Sequence, residues 1–117
     1  MLAAIKGQFV RLKEKALARQ IKKAGFFDPS FYIFNNPDVA VAGQDPLLHF
    51  VRHGAAEGRS PSPKFNLPVY LQDNPAAQVS GLNPVIDWLI FGKEGDRKPP
   101  ISVDYEHSVV GAEQLSY

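Results

Sequence analysis

The chain has 117 residues, 44% of them hydrophobic, no cysteine and a formal net charge of +1. That length suits one small domain, and the missing cysteine excludes a disulfide framework, a thiolate metal centre and a cysteine nucleophile. No stretch approaches the ~18 apolar residues of a membrane span, and Lys6 cuts short the apolar opening, which argues against a signal peptide and for a cytoplasmic protein.

Residues 2–24 read as one helix, stopped by Gly25. Seven Lys/Arg fall in residues 1–24 against the single acid Glu14, a net +6, while the remainder carries −5. Such a basic head on an acidic body predicts an anionic partner for the head. Leu2, Ile5, Phe9, Leu12 and Ala16 step by three and four along one apolar stripe, widened by Val10, Leu17 and Ile21. Arg11, Lys15, Arg19 and Lys22 form a basic ridge opposite, and Lys6 and Lys13 intrude on the apolar side. Three readings stay open for this helix: packing of the stripe on the rest of the chain, contact of the ridge with an anionic membrane surface such as the inner membrane, or self-association. Nucleic acid is disfavoured, because the body is acidic and carries no reading motif.

Beyond Gly25 the chain repeats itself. Shifted by 38, residues 27–61 align with 65–99 without a gap, and ten of the 35 pairs are identical. Unrelated segments of ordinary composition would share about two. A period near 40 residues points to stacked helical units. The punctuation describes each unit. Asp28-Pro29 and Asn66 with Pro68 supply a capping residue and a proline in the first helical turn. Pro37 and Pro75 open a second short helix, closed by Gly43 and Gly81 as left-handed caps. Asp45-Pro46 and Asn83-Pro84 open a third, read as ending at Gly54 and Gly92. Leu47, Phe50 and Val51, and likewise Val85, Trp88 and Leu89, give each third helix one apolar face. Helices this short are unstable alone, so the two units are expected to share one core. The prediction is an all-α fold: a basic amphipathic helix over 1–25, then a domain over 26–104 with repeat 1 at 27–64 and repeat 2 at 65–102. Ser102 to Asp104 is expected to pack as a stub of a further repeat, and 105–117 to form a loose tail.

Few residues look chemical. His49 and His53 stand four apart, with Glu57 four further on, but a helix end at Gly54 separates Glu57 from their face, and Asp87 and Phe91 replace the histidines in repeat 2. The expected roles are a half-buried His49 and a His53 at the last-turn carbonyls, with no metal and no cofactor. Arg59 and Arg97 follow helix ends, where a guanidinium meets orphan carbonyls or a nearby carboxylate. Phe31, Phe34 and Trp88, with Arg59, are the candidates for a partner or sugar contact; the alternative is that Phe31 and Phe34 pack beneath the N-terminal helix. No residue set supports a catalytic assignment.

Residues 27–66, "FDPSFYIFNNPDVAVAGQDPLLHFVRHGAAEGRSPSPKFN", resemble a recurring bacterial segment found in proteins that carry glycosyltransferase domains for cell-surface polysaccharides. The match falls on Phe27, Asp28, Tyr32, Asn36 to Val39, Gly43, Asp45, Pro46, His49, Phe50, His53, Gly54, Glu57 to Arg59, Pro61 and Phe65. Repeat 2 is a degenerate copy that loses both histidines. The resemblance implies a setting and assigns no catalytic residue. It implies a non-catalytic interaction module, either accessory to such a glycosyltransferase or part of one, whose partner is the enzyme or an assembly component. A glycan-binding module is the alternative, and an enzyme the third.

Overall fold

Proline fixes where the short helices begin. The computed structural model describes residues 2–102, with side chains from residue 11 onward, and among these residues the fold is all-α. Helix α1 spans Leu2–Lys23. Then follow α2 (Pro29–Asn35), α3 (Pro37–Val41) and α4 (Pro46–His49), the last running on as a π-helical turn over Phe50–Gly54. After an extended connector come α5 (Leu67–Asp73), α6 (Pro75–Val79) and α7 (Pro84–Phe91), with a 3₁₀ turn over Gly92–Glu94. The starts of α2, α3 and α4 precede those of α5, α6 and α7 by 38 residues each.

The caps act as their chemistry dictates. The side chains of Asp28, Asp45, Asn66 and Asn83 accept from the backbone N–H of Phe31, Leu48, Val69 and Val85 at 2.9–3.3 Å. Each satisfies one of the orphan donors of a helix start. Gly25, Gly43 and Gly81 adopt positive φ where a stop was expected. Gly54 and Gly92 do not. Both stay in the right-handed helical region, and the left-handed stops are Gly58 (φ 80°) and Gly95 (φ 79°). The reason Gly54 must be glycine is space: a Cβ there would strike the Tyr32 hydroxyl, and one at Gly92 would strike the Trp88 indole.

One hydrophobic cluster runs through both segments. Ile21, Tyr32, Val39, Phe50, Phe65, Tyr70, Ala77 and Val85 are buried together, and Phe26, Leu47, Trp88 and Leu89 pack against them. Phe26 meets Phe65 edge-on at 5.6 Å between ring centroids, joining the start of the first segment to the start of the second. The connectors close each segment on itself. Asp28 N–H donates to Pro61 O at 3.0 Å, and Asn66 N–H to Ile101 O at 3.0 Å.

Helix α1 packs on α4, the π turn and α7. Its buried seam is Leu17, Ala18 and Ile21, with Glu14 beside them accepting from Arg52 at 3.0 Å. The residues read as the main apolar stripe lie elsewhere: Leu12 is 66% exposed and Ala16 is exposed. At ~100° per residue, the line through Leu12 and Ala16 is about 165° around the helix from the seam. The body therefore uses the residues that only widened the predicted stripe. The expected stub beyond Ser102 and the tail over 105–117 lie outside the described residues, as do the side chains of Leu2, Ile5, Lys6, Phe9 and Val10.

Candidate functional site

A buried tyrosine hydroxyl left unbonded costs about 1–3 kcal/mol, so each of the two fully buried tyrosines needs a partner. Both find one seventeen residues on. The Tyr32 hydroxyl is 2.7 Å from His49 Nδ1, and the Tyr70 hydroxyl donates to Asp87 Oδ1 at 2.6 Å. Burial pushes the Tyr32 phenol up to about 12 and raises that of Tyr70 as well. Both phenols therefore stay protonated and able to donate at neutral pH.

The arginines complete the arrangement differently. In the second segment Arg97 reaches in to Asp87, Nε to Oδ1 at 2.8 Å and Nη2 to Oδ2 at 3.2 Å. Burial opposes ionisation of Asp87, but the bonds from Arg97 and Tyr70 outweigh it and hold the carboxyl below its ordinary value. In the first segment the equivalent position is His49, which offers an arginine nothing. Arg59 turns instead to Asp38, forked at 2.9 and 3.0 Å, with Asn36 Oδ1 at 3.1 Å and Glu57 Oε1 at 3.3 Å. Position 38 becomes Ala76 in the second segment. The carboxylate that holds the arginine has thus moved from α3 to α7. Burial, then the Arg59 cation, holds His49 below the usual imidazole range.

The two asparagines that precede Pro37 and Pro75 follow the same logic. Asn36 and Asn74 each donate to the carbonyl of the tyrosine four residues back at 2.8 Å. Asn36 then accepts from Arg59, whereas Asn74 Oδ1 accepts from the Lys98 N–H at 2.7 Å and pins the second connector. No buried side-chain polar atom among the described residues lacks a partner.

These bonds absorb His49, Glu57, Arg59 and Arg97 among the polar residues singled out in the sequence. Arg59 is committed to Asp38, Asn36 and Glu57. His49 is buried rather than half-buried. The His53 ring lies tilted beside it, ring centroids 5.7 Å apart, and the two histidines line a 220 Å³ depression with Asp45 and Arg52. No group of three or more potential metal ligands occurs among the described residues. Phe31 is buried at 3% exposure, Phe34 stands 55% exposed, and Trp88 is half-buried, edge-on to Tyr70 at 6.2 Å and over Gly92. None of Phe31, Phe34, Arg59 and Trp88 lines the 220 Å³ depression or the 870 Å³ groove between α1 and the two segments. Arg11, Lys15, Arg19 and Lys22 are exposed and form no ion pair among the described residues.

A larger concavity than that depression lies elsewhere. An open groove of about 870 Å³ runs between α1 and the two segments. Lys13 and Leu17 of α1, Val51 and Ala55 of the π-turn region, and Leu71, Ala77, Leu82 and Ile86 of the second segment line it. Among the described residues, Lys13 is its one titratable lining residue; Gln72, Gln78 and Asn83 supply neutral polar groups. Small side chains on the floor (Ala55, Ala77) and Gly81 at the edge leave the space open. Sequence reading missed this groove because alanines at ordinary helical spacing carry no signal. The tyrosine pairs did leave one, since both partners sit seventeen residues on and Asp38/His49 exchanges for Ala76/Asp87. Comparison with family models, with curated proteins and with solved structures gives no match, so the geometry of this chain and the residues of its motif carry the functional reading.

Proposed function

We propose that this chain is a non-catalytic helical interaction module that receives a protein partner in the groove between α1 and the two segments. The setting implied by the resemblance of residues 27–66 is bacterial cell-surface polysaccharide synthesis, with a glycosyltransferase or an assembly component as the partner. One observation carries this reading. Arg59, Asp87 and Tyr32 are held by internal bonds, while the 870 Å³ groove is lined mostly by apolar residues, with Lys13 its one titratable lining residue among the described residues. An active site gathers several titratable groups in one pocket; a protein-docking surface needs apolar area and a polar rim.

The test is binding of the full chain to the catalytic domain of a polysaccharide glycosyltransferase, followed by calorimetry. Leu82 lines the groove and is part-exposed, so Leu82→Glu leaves the fold intact. The expected result is at least tenfold weaker binding for Leu82→Glu and no change for Phe34→Ala. The glycan-binding alternative draws on the exposed ring of Phe34. It would be favoured if oligosaccharide titration moved the resonances of Phe34, Trp88 and Arg59 while leaving the groove unaffected. Turnover of a nucleotide sugar by the purified chain would overturn the non-catalytic reading.

A further inference from the structure

Helix α1 is 22 residues long, about 33 Å at 1.5 Å per residue. From residue 11 onward, where side chains are described, the body covers one side of the helix, the seam of Leu17, Ala18 and Ile21. The opposite side is exposed, and its composition is distinctive. Leu12 and Ala16 form an apolar line there, and the positions of Leu2, Ile5 and Phe9 fall on the same line of the helix. Arg19 and Lys15 flank it on one side and Lys13 on the other, with Lys23 at its end; all are exposed and unpaired among the described residues. The single acid of the helix, Glu14, is turned to the body and neutralised by Arg52. The outward face is therefore wholly basic around an apolar stripe, while the chain outside residues 1–24 carries −5.

We propose that this outward face of α1 docks on the surface of an anionic lipid bilayer, with the apolar line at the headgroup–acyl boundary and the flanking cations against acidic headgroups. An interfacial helix needs an apolar face bordered by Lys and Arg, and here both are present on the side the protein leaves free. Charge selects the occupant. A second copy of the chain would bring like-charged flanks together around the stripe, whereas an anionic surface attracts them. The acidic body is repelled by the same surface, which turns it outward and leaves the α1 seam undisturbed. Lys13 borders both this face and the groove, but Leu12, Lys15 and Arg19 do not line the groove, so the inference stands whether or not the groove takes a protein.

The experiment is flotation of the full chain with vesicles of phosphatidylcholine alone or with one third phosphatidylglycerol, at low and high salt. The variants are Leu12→Asp, Lys15→Glu with Arg19→Glu, and Lys64→Glu, an exposed cation far from α1 in sequence. Circular dichroism and thermal unfolding check that each variant is folded. The expected result is flotation on the anionic vesicles only, weakening as salt screens the surface within about 10 Å at 0.1 M. Lys15→Glu with Arg19→Glu lowers partitioning at least tenfold, Leu12→Asp several-fold, and Lys64→Glu leaves it nearly unchanged. Absence of flotation on anionic vesicles overturns the proposal. So does equal loss with Lys64→Glu, which would reduce the effect to net charge. A dimer in solution that Leu12→Asp dissolves, without flotation, would assign the stripe to a second copy instead.

Discussion

Arg97 lies against Asp87 in a two-point contact, at 2.8 and 3.2 Å, and the carboxylate it holds is completely buried. The same carboxylate accepts from Tyr70 at 2.6 Å, so three side chains from α5, α7 and the second connector depend on one another. Removing one member leaves the others uncompensated. Asp87→Ala should destabilise the chain by about 3 kcal/mol, the lower end for a broken buried pair. Urea denaturation measures it.

The same carboxyl sets an acid limit. Asp87 is held below its ordinary value in the folded chain, so the unfolded chain binds a proton more tightly. Its contribution is complete above the unfolded value near 4 and is lost as pH falls through the lower folded value. Stability measured from pH 5 to pH 3 should fall more steeply in the native chain than in Asp87→Asn.

His49 acts on a different window. Its folded value is also depressed, but for a base this means that protonation favours the unfolded chain. Its contribution is complete above the unfolded imidazole value near 6.5 and declines as pH falls below it. His49→Gln should remove the slope in stability between pH 6.5 and 5, while the slope from Asp87 below pH 4 remains.

The arginine exchange between the segments can be reversed. Placing Asp at His49 and Ala at Asp38 copies the second-segment arrangement into the first. Each change alone should destabilise, Asp38→Ala by freeing Arg59 and His49→Asp by burying a carboxylate without a cation. Together they should cost less than their sum, because Arg59 can then turn inward. A double-mutant cycle reads the coupling, and additivity would show that Arg59 cannot reach.

Gly54 and Gly58 should fail for different reasons. Gly54→Ala meets the Tyr32 hydroxyl and costs about 1–3 kcal/mol as overpacking. Tyr32→Phe should recover part of that loss. Gly58→Ala has open space but a φ of 80°, costing about 1–2 kcal/mol that Tyr32→Phe leaves untouched.

Much of the fold was legible because proline and capping residues act locally. Asp28-Pro29 fixes a helix start whatever lies around it, and six starts could be read this way. What failed depended on contacts across the chain. Gly54 has the look of a helix stop, and only the Tyr32 hydroxyl, twenty-two residues away, explains why it lacks a side chain. Helix α1 carries two apolar lines, and periodicity cannot say which one the body takes. Among the described side chains, it is the seam of Leu17, Ala18 and Ile21 that is buried, in a helix that packs on α4, the π turn and α7. The groove was invisible because its floor is made of alanines that would suit any helix interior.

The π turn has a consequence for how the two segments should be compared. Ala55 N–H bonds back five residues to Phe50 O, so the helix that began at Pro46 takes in one residue more before its left-handed stop at Gly58. The helix that began at Pro84 reaches its stop at Gly95 one residue sooner, and then has one residue more before Arg97. A gapless alignment pairs Gly58 with Asp96 and conceals two opposite displacements that cancel by the time the arginines are reached. Any chimera exchanging these turns must therefore cut outside both displacements, at the helix start and after the arginine. A junction placed between them would leave the helix stop and the arginine out of step by one residue.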